Sequence, residues 1–387
     1  MPLINSNGSP LNQGGIQFTS LRTKDGRIQA KHGEMVNGVF VKSGESIPMS
    51  EGFYKVYTLQ SLKEFLGSIG VAPYLDTTLC YGVPVSGLTD GLIVTKAAFR
   101  RAMANPTEAN ATVRGAMVRG NEALQYRKGQ PGIFLGDIDP DPSGKMKGWT
   151  AHQLDDFLCS VLPWLRNYDR GYLPSGGSGV YDMATGNRVD TSEGWRLYFV
   201  VDDASLIPAL GHLIFAALVD AGHGFGFVTR NGNRYVRTLF DRAVWQGSRL
   251  DFAFGIDLAA GLVQRRPVTF FNGLAMVPAA ATLRAGGMQP LLDMKALREY
   301  AVAWEKKSAK FKAVFAAMAD EAKGSALHGM ICALPLRSRL AIPRRRCGRE
   351  SQRSTITLSP NSTRFMTAMG KHSPSATPSP TRANITA

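Results

Sequence analysis

Between residues 132 and 254 the hydrophobic pattern switches repeatedly between the two-residue period of a strand and the 3.6-residue period of a helix. A short apolar run, Ile133-Phe134-Leu135-Gly136, leads into Asp137-Ile138-Asp139 and then a Pro/Gly-rich turn. Thr150 followed three residues later by Gln153 forms a capping box. Leu154, Phe157, Leu158, Val161, Leu162 and Leu165 then recur at helical spacing. A Gly/Ser loop over 174–179 precedes a strand over 195–201, which Asp202-Asp203 ends, and an apolar helix runs on to about residue 221. Two further strand candidates, 225–229 and 234–240, flank Asn231-Gly232, a strong short hairpin signal. Strands interleaved with helices restrict this region to a compact α/β or α+β domain.

The flanks are less patterned. Residues 1–50 are rich in Gly, Ser and Asn and read as a loosely structured lead-in with a hairpin or two, one of them around Gly38-Val39-Phe40-Val41. Residues 51–285 are expected to form the core, including a basic helix over 95–104. Residues 286–327 read as a helical appendix built on one helix over 291–323, whose Lys306, Lys307, Lys310 and Lys312 are expected to form a solvated face. After His328 the composition turns to Ser, Thr, Pro and Arg without sustained periodicity, which predicts a disordered basic tail over 328–387. So abrupt a change is what a shifted reading frame would produce.

The chain carries 45 Lys+Arg against 30 Asp+Glu, a net charge of +15 that suggests a polyanionic partner. The tail beyond residue 328 holds ten of those bases and one acid, so the charge argument weakens once the tail is set aside. The N-terminus lacks a basic n-region followed by an apolar h-region, so no secretory signal is expected. The most apolar run, 206–219, is expected to be too short to cross a bilayer and to form a buried helix. The four cysteines, Cys80, Cys159, Cys332 and Cys347, lie far apart with no Cys-x-x-Cys pair. Neither a zinc ribbon nor a disulfide framework is indicated, and a reducing cytoplasm fits.

Three constellations carry chemistry. Strand alternation puts Asp137 and Asp139 on one face, where two ionised carboxylates repel and a divalent cation such as Mg²⁺ or Mn²⁺ relieves the repulsion. The same Asp-x-Asp followed by Pro and Gly also describes a plain turn. Second, Asp241 closes an apolar strand, Val244-Trp245 follow, and Arg249 comes eight residues after the acid, placed to contact a phosphate. Third, in the strand 195–201, Trp195, Leu197, Phe199 and Val201 are expected to face the core, while Arg196 and Tyr198 face the other side, with Arg196 directed into a site. The loop Ser175-Gly176-Gly177-Ser178-Gly179 could cradle phosphate through its N–H groups, which makes Ser175 and Ser178 nucleotide-binding candidates; with no Gly-Lys-Ser/Thr after it, it is no Walker A loop. His212 and His223 read as structural, and Asp155-Asp156 and Asp202-Asp203 as solvated acids at element ends.

The order of Asp-x-Asp, a strand bearing a basic residue, then a hydrophobic-Asp with a Val-aromatic pair and Arg resembles the three motifs of the archaeo-eukaryotic primase superfamily. It looks especially like the primase-polymerases of plasmids, phages and integrative elements. The resemblance covers roughly residues 120–255. It implies a mixed-sheet α/β (α+β) catalytic core with an N-terminal flanking subdomain and a C-terminal helical appendix. It further implies that Asp137, Asp139 and Asp241 hold two Mg²⁺ or Mn²⁺ ions, with Arg196 and Arg249 at the nucleotide. The family's second motif is Ser-x-His; here Gly194-Trp195-Arg196 stands in its place. The implied partners are a single-stranded DNA template, nucleoside triphosphates and a separate replicative helicase, with no membrane. Two other readings stay open: a catalytically degenerate DNA-binding replication protein, and an Asp-x-Asp glycosyltransferase, which would have no use for Asp241 or Arg249.

Overall fold

In the computed structural model, in which residues 15–43, 49–70, 74–139, 144, 146, 148–229 and 232–318 are described, the chain begins with strand β1 (Ile16–Thr23), a hairpin of β2 (His32–Val36) and β3 (Val39–Ser43), and β4 (Gly52–Leu59). Helix α1 (Leu62–Gly70), β5 (Thr77–Cys80), β6 (Asp90–Ile93) and helix α2 (Lys96–Ala104) follow. The central region holds β7 (Gly132–Ile138), α3 (Ala151–Val161), β8 (Arg170–Pro174), β9 (Trp195–Val201) and α4 (Ile207–Leu218). After these come the hairpin β10 (Phe225–Val228) and β11 (Arg234–Arg237), the short strands β12 (Asp257–Leu258) and β13 (Thr269–Phe271), and α5 (Met294–Lys307). The architecture is mixed α+β.

Two four-stranded sheets carry the core. The first has the order β5-β1-β4-β6 and the second β13-β8-β9-β7, and every pairing within both is antiparallel. The expected mixed sheet is therefore corrected: the parallel pairing of named strands is confined to β2 with β12, in a small separate sheet. The lead-in is corrected as well. Residues 16–23 form β1, an inner strand paired along its full length with β4 and buried at Phe18 and Leu21. The described residues belong to one compact unit, Met1–Ile331. The predicted tail over 328–387 lies outside the described residues, as do Cys332, Cys347 and Asn231.

Helix α1 joins the sheets. Its apolar positions Leu62, Phe65, Leu66 and Ile69 follow the i, i+3, i+4, i+7 stripe and all are buried. Phe65 packs edge-on to Phe18 of β1 at 5.4 Å and to Tyr198 of β9 at 5.3 Å. Leu66 lies so close over β8 that a Cβ on Gly171 would come within 2.2 Å of it. Burying each of these side chains contributes about 1.5–3 kcal/mol. On the other face of the second sheet Phe134 stacks on Phe199 at 4.4 Å, and α4 packs nearby, buried at Leu210, Ile214, Phe215 and Leu218. Strand β9 is thus covered on both faces.

The capping box forms as predicted: Thr150 N–H donates to Gln153 Oε1 at 2.9 Å, and Thr150 Oγ1 accepts from Gln153 N–H at 3.3 Å. The apolar helical run is longer than the sequence pattern suggested. It spans Ala204–His223, 20 residues, enough by length to cross a membrane, yet 67% of its most apolar window is buried within the molecule. Asp155 is corrected from a solvated acid. It is buried on the apolar side of α3, paired with Arg170 at 2.5 Å and accepting from Tyr172 Oη at 2.9 Å. The single helix predicted over 291–323 is broken at Ser308, whose ψ of 115° is extended. Ser308 Oγ donates to Asp220 at 2.7 Å and accepts from Phe311 N–H at 3.2 Å, so it ends α5 and caps a second helical stretch, 309–318.

His212 on α4 is structural, 4% exposed, with its ring edge-on to Tyr300 at 5.8 Å and Trp304 at 5.6 Å. Burial, helped by Arg242, pushes its pKa down to about 4 from 6.5. Above pH 6.5 neither folded nor unfolded chain protonates this ring, so it adds no pH dependence. As the pH falls from 6.5 toward 4, the unfolded chain takes up a proton that the folded state does not, and stability drops by up to about 3 kcal/mol. His212→Phe is expected to flatten the fall in melting temperature across that window; parallel melting profiles for variant and wild type would refute the assignment.

Candidate functional site

Backbone pairing lines up three carboxylates. Asp137 and Asp139 project from one face of β7, and the segment 239–241 adds to the edge of that strand. Asp139 N–H donates to Leu239 O, and Asp241 N–H to Asp137 O, both at 2.9 Å, around the bridge Ile138↔Phe240. Asp241 therefore lies across from Asp137 on the face that carries Asp139. The approach requires Gly136, because a Cβ there would come within 2.4 Å of the Phe240 ring. On the opposite edge of β7, Arg196 of β9 is the direct neighbour of Asp137, with its Nε 3.9 Å from Asp137 Oδ1.

Asp137, Asp139 and Arg196 line a cleft of about 380 Å³ together with Ser175, Gly176 and Gly177. Its remaining wall holds Lys31 and Lys42, which the sequence pattern did not single out. They arrive by tertiary docking. His32 pairs in parallel with Asp257 and its Nδ1 lies 2.7 Å from the Asp257 carboxylate. That pairing brings the β2–β3 hairpin against the body, with Lys42 reaching Ser192 Oγ. Burial and Lys31 both lower the pKa of Lys42. The cleft thus carries both signs of charge, with Glu193 a third acid in its lining.

Asp137 keeps 32% of its side chain exposed toward this cleft. Burial pushes its pKa up to about 6, Arg196 pulls it back, and Asp251, Asp139 and Asp241 push it further. Asp139 is raised too, by burial and then by Asp241, against the pull of Arg237 and Lys31. Carboxylates that resist ionisation for this reason gain from a divalent cation, which fits this donor set. Among the described residues no three His, Cys, Asp or Glu side chains close into a metal cage. Mg²⁺ held by one or two carboxylates completes its shell with water and substrate phosphate.

Arg196 is fixed from behind. Its Nη1 donates to Phe252 O at 2.9 Å and its Nη2 lies 3.0 Å from Asp251 Oδ1. The Asp251 carboxylate is buried and also accepts from Tyr81 Oη at 2.5 Å and Tyr198 Oη at 2.9 Å. Burial, the largest single influence, works against the charge on Arg196, but Asp251, Tyr198, Asp137 and Tyr81 together outweigh it, and the net upward shift holds the guanidinium protonated. Arg196 Nε, though buried, meets no hydrogen-bond acceptor among the described residues. Arg266 lies near enough for burial and Arg196 to lower its pKa to about 10. Sequence reasoning missed Asp251, although an acid inside the apolar run Leu250-Asp251-Phe252-Ala253-Phe254 was a signal of an internal role.

The remaining candidates fall outside the cleft. Asp241 accepts from Ala243 N–H at 3.0 Å and caps the turn Arg242–Trp245. Arg249 is exposed and does not line the cleft. Ser178 is buried; its Oγ donates to Gly194 O at 3.3 Å and lies 2.8 Å from Ser175 Oγ, so it pins the loop. The N–H groups of Ser175 and Ser178 donate to Gly194 O and Ser175 O, which leaves those two unable to serve a phosphate. No family model matches the chain, and no curated protein or solved structure matches it either.

The arrangement brings carboxylates that can hold a cation close to basic groups that can hold an anion. Its integrity depends on the buried pair. Asp251→Ala leaves the Arg196 charge uncompensated and is expected to cost about 3–5 kcal/mol, read as a lower urea midpoint. Replacing both, Arg196→Met with Asp251→Leu, is expected to recover most of that loss; equal destabilisation of single and double variants would refute the pairing.

Proposed function

We propose that this chain is a primase-polymerase-type nucleotidyltransferase that joins nucleotides on a DNA template, in the replication of a mobile genetic element. The observation that carries the reading is the mixed-charge cleft, lined by Asp137, Asp139 and Glu193 together with Lys31, Lys42 and Arg196, with Arg196 beside Asp137. A nucleoside triphosphate with its divalent cation has that charge pattern. Asp137 and Asp139 would hold Mg²⁺ or Mn²⁺, with Asp241 across the ladder as the third carboxylate. When bound, such an ion neutralises charge that builds on the reacting phosphate. Lys31, Lys42 and Arg196 bind the triphosphate, Arg196 through the fixed Nε. The reaction is attack of a primer 3′-hydroxyl on the α-phosphate with release of pyrophosphate.

A second reading, a degenerate DNA-binding replication protein, is favoured by two observations. The Asp241 carboxylate caps a turn, and Arg249 lies outside the cleft. The two readings part at Asp241, because asparagine caps a helix as well as aspartate but carries no charge. If Asp241 serves the reaction, Asp241→Asn abolishes activity with the melting temperature unchanged. If it only caps, Asp241→Asn is silent and Asp241→Ala costs about 1 kcal/mol of stability.

The decisive assay is primer synthesis on single-stranded DNA with labelled NTPs or dNTPs and Mg²⁺ or Mn²⁺. Asp137→Ala and Asp139→Ala are expected to lower the rate at least about a hundredfold, the scale of removing one preorganised electrostatic group. Either ion should raise the melting temperature of wild type but not of Asp137→Ala. No synthesis by wild type under any of these conditions, with DNA binding retained, would leave the degenerate reading standing.

A further inference from the structure

A second concavity, about 580 Å³, lies between β11, α5 and the helical stretch 309–318. The break at Ser308 lies between the two helical stretches that line it. Arg234, Arg242, Lys306 and Lys312 line it, with Glu305 the one acid among the lining residues. Interleaved with these are aromatic faces: Tyr235 is 51% exposed and Phe315 is 43% exposed. The Phe311 and Phe315 rings lie nearly parallel, 11° apart, with centroids at 6.3 Å. Sequence periodicity marked the lysines only as a solvated face.

We propose that this groove binds single-stranded nucleic acid, its bases on Tyr235 and Phe315 and its phosphates on Arg234, Lys306 and Lys312. Positive charge beside exposed aromatic rings is the pattern that stacks unpaired bases and tracks their backbone. A duplex hides its base faces and could use only the charges. The chain's own C-terminal segment is a poor occupant, because residues 328–387 carry ten bases and one acid and would be repelled. The groove also has a direction. Strand β11 leaves it at Arg234 and, about 10 Å further on, reaches Arg237, two residues before Leu239, whose carbonyl accepts from Asp139 N–H at 2.9 Å. A strand seated in the groove is thereby led along β11 toward the carboxylates. That direction rests on the proposed reaction; strand binding does not.

The test uses the full chain and fluorescently labelled oligo(dT), with 2-aminopurine strands as a stacking probe. Lys306→Glu with Lys312→Glu changes exposed positions and leaves the core untouched. It is expected to weaken binding and flatten the salt dependence by about 0.7 log units per log salt for each phosphate that is no longer neutralised. Tyr235→Ala with Phe315→Ala is expected to weaken binding roughly tenfold or more and to remove the 2-aminopurine signal. A failed polymerase assay by wild type with intact groove binding counts against the reaction alone. Affinity and salt slope unchanged in both groove variants would overturn the proposal, as would absence of strand binding by wild type. A dimer that the groove variants convert to monomers, with strand binding unchanged, would assign the groove to a second copy and overturn it equally.

Discussion

The buried carboxylate of Asp251 is the point on which the two sheets and the cleft all depend. Its backbone pairs with Leu79 of β5 through hydrogen bonds of 2.8 and 2.9 Å. Its side chain accepts from Tyr81, which follows β5, and from Tyr198, which belongs to β9, and it lies 3.0 Å from Arg196. One residue therefore ties the first sheet to the second and sets the direction of the one buried cation at the mouth of the cleft. A buried ion pair seldom adds net stability over an apolar replacement. The value of this one is geometric: it makes one placement of Arg196 far cheaper than any other.

The alignment of the three aspartates is built by ladder hydrogen bonds rather than by loops. Asp137, Asp139 and Asp241 are spaced by the strand repeat and by the 2.9 Å pairings between 137–139 and 239–241, so no side-chain rearrangement is needed to align them. The cost is electrostatic. Asp137 is crowded by burial and by three other acids, and only Arg196 pulls the other way. A fold that keeps such a cluster on a rigid ladder is less stable than it would be with neutral residues there.

The local features were legible in the sequence: the capping box at Thr150, the strands around Asp137 and Arg196, and the alternation that puts the two aspartates on one face. Each depends on residues within one turn or one strand. What stayed hidden depends on partners far away in the chain. Tyr81 and Asp251 are 170 residues apart, and Lys31 reaches the cleft only because His32 pairs with Asp257. The apolar positions of β1, with Ile16 and Phe18 on one face and Leu21 on the other, were masked by the Gly/Ser-rich segments around them, so an inner strand read as a lead-in. The break at Ser308 was invisible because α5 and 309–318 share one helical pattern, and the Asp220 side chain that ends α5 comes from another element.

The same long-range logic explains why arginine suits position 196 better than histidine would. The side chain must meet Phe252 O and Asp251 at one end and present Nε toward Asp137 at the other. A guanidinium has five donors in a fixed fork and stays charged when buried; an imidazole has two nitrogens, a shorter reach and an ordinary pKa near neutrality. With histidine at this position, Asp251 would be a buried carboxylate facing a partner that is largely neutral above pH 7. Arg196 and Asp251 are thus a matched pair: the acid is tolerable in the core because the base is permanently charged, and the base is rigid because the acid is immobile.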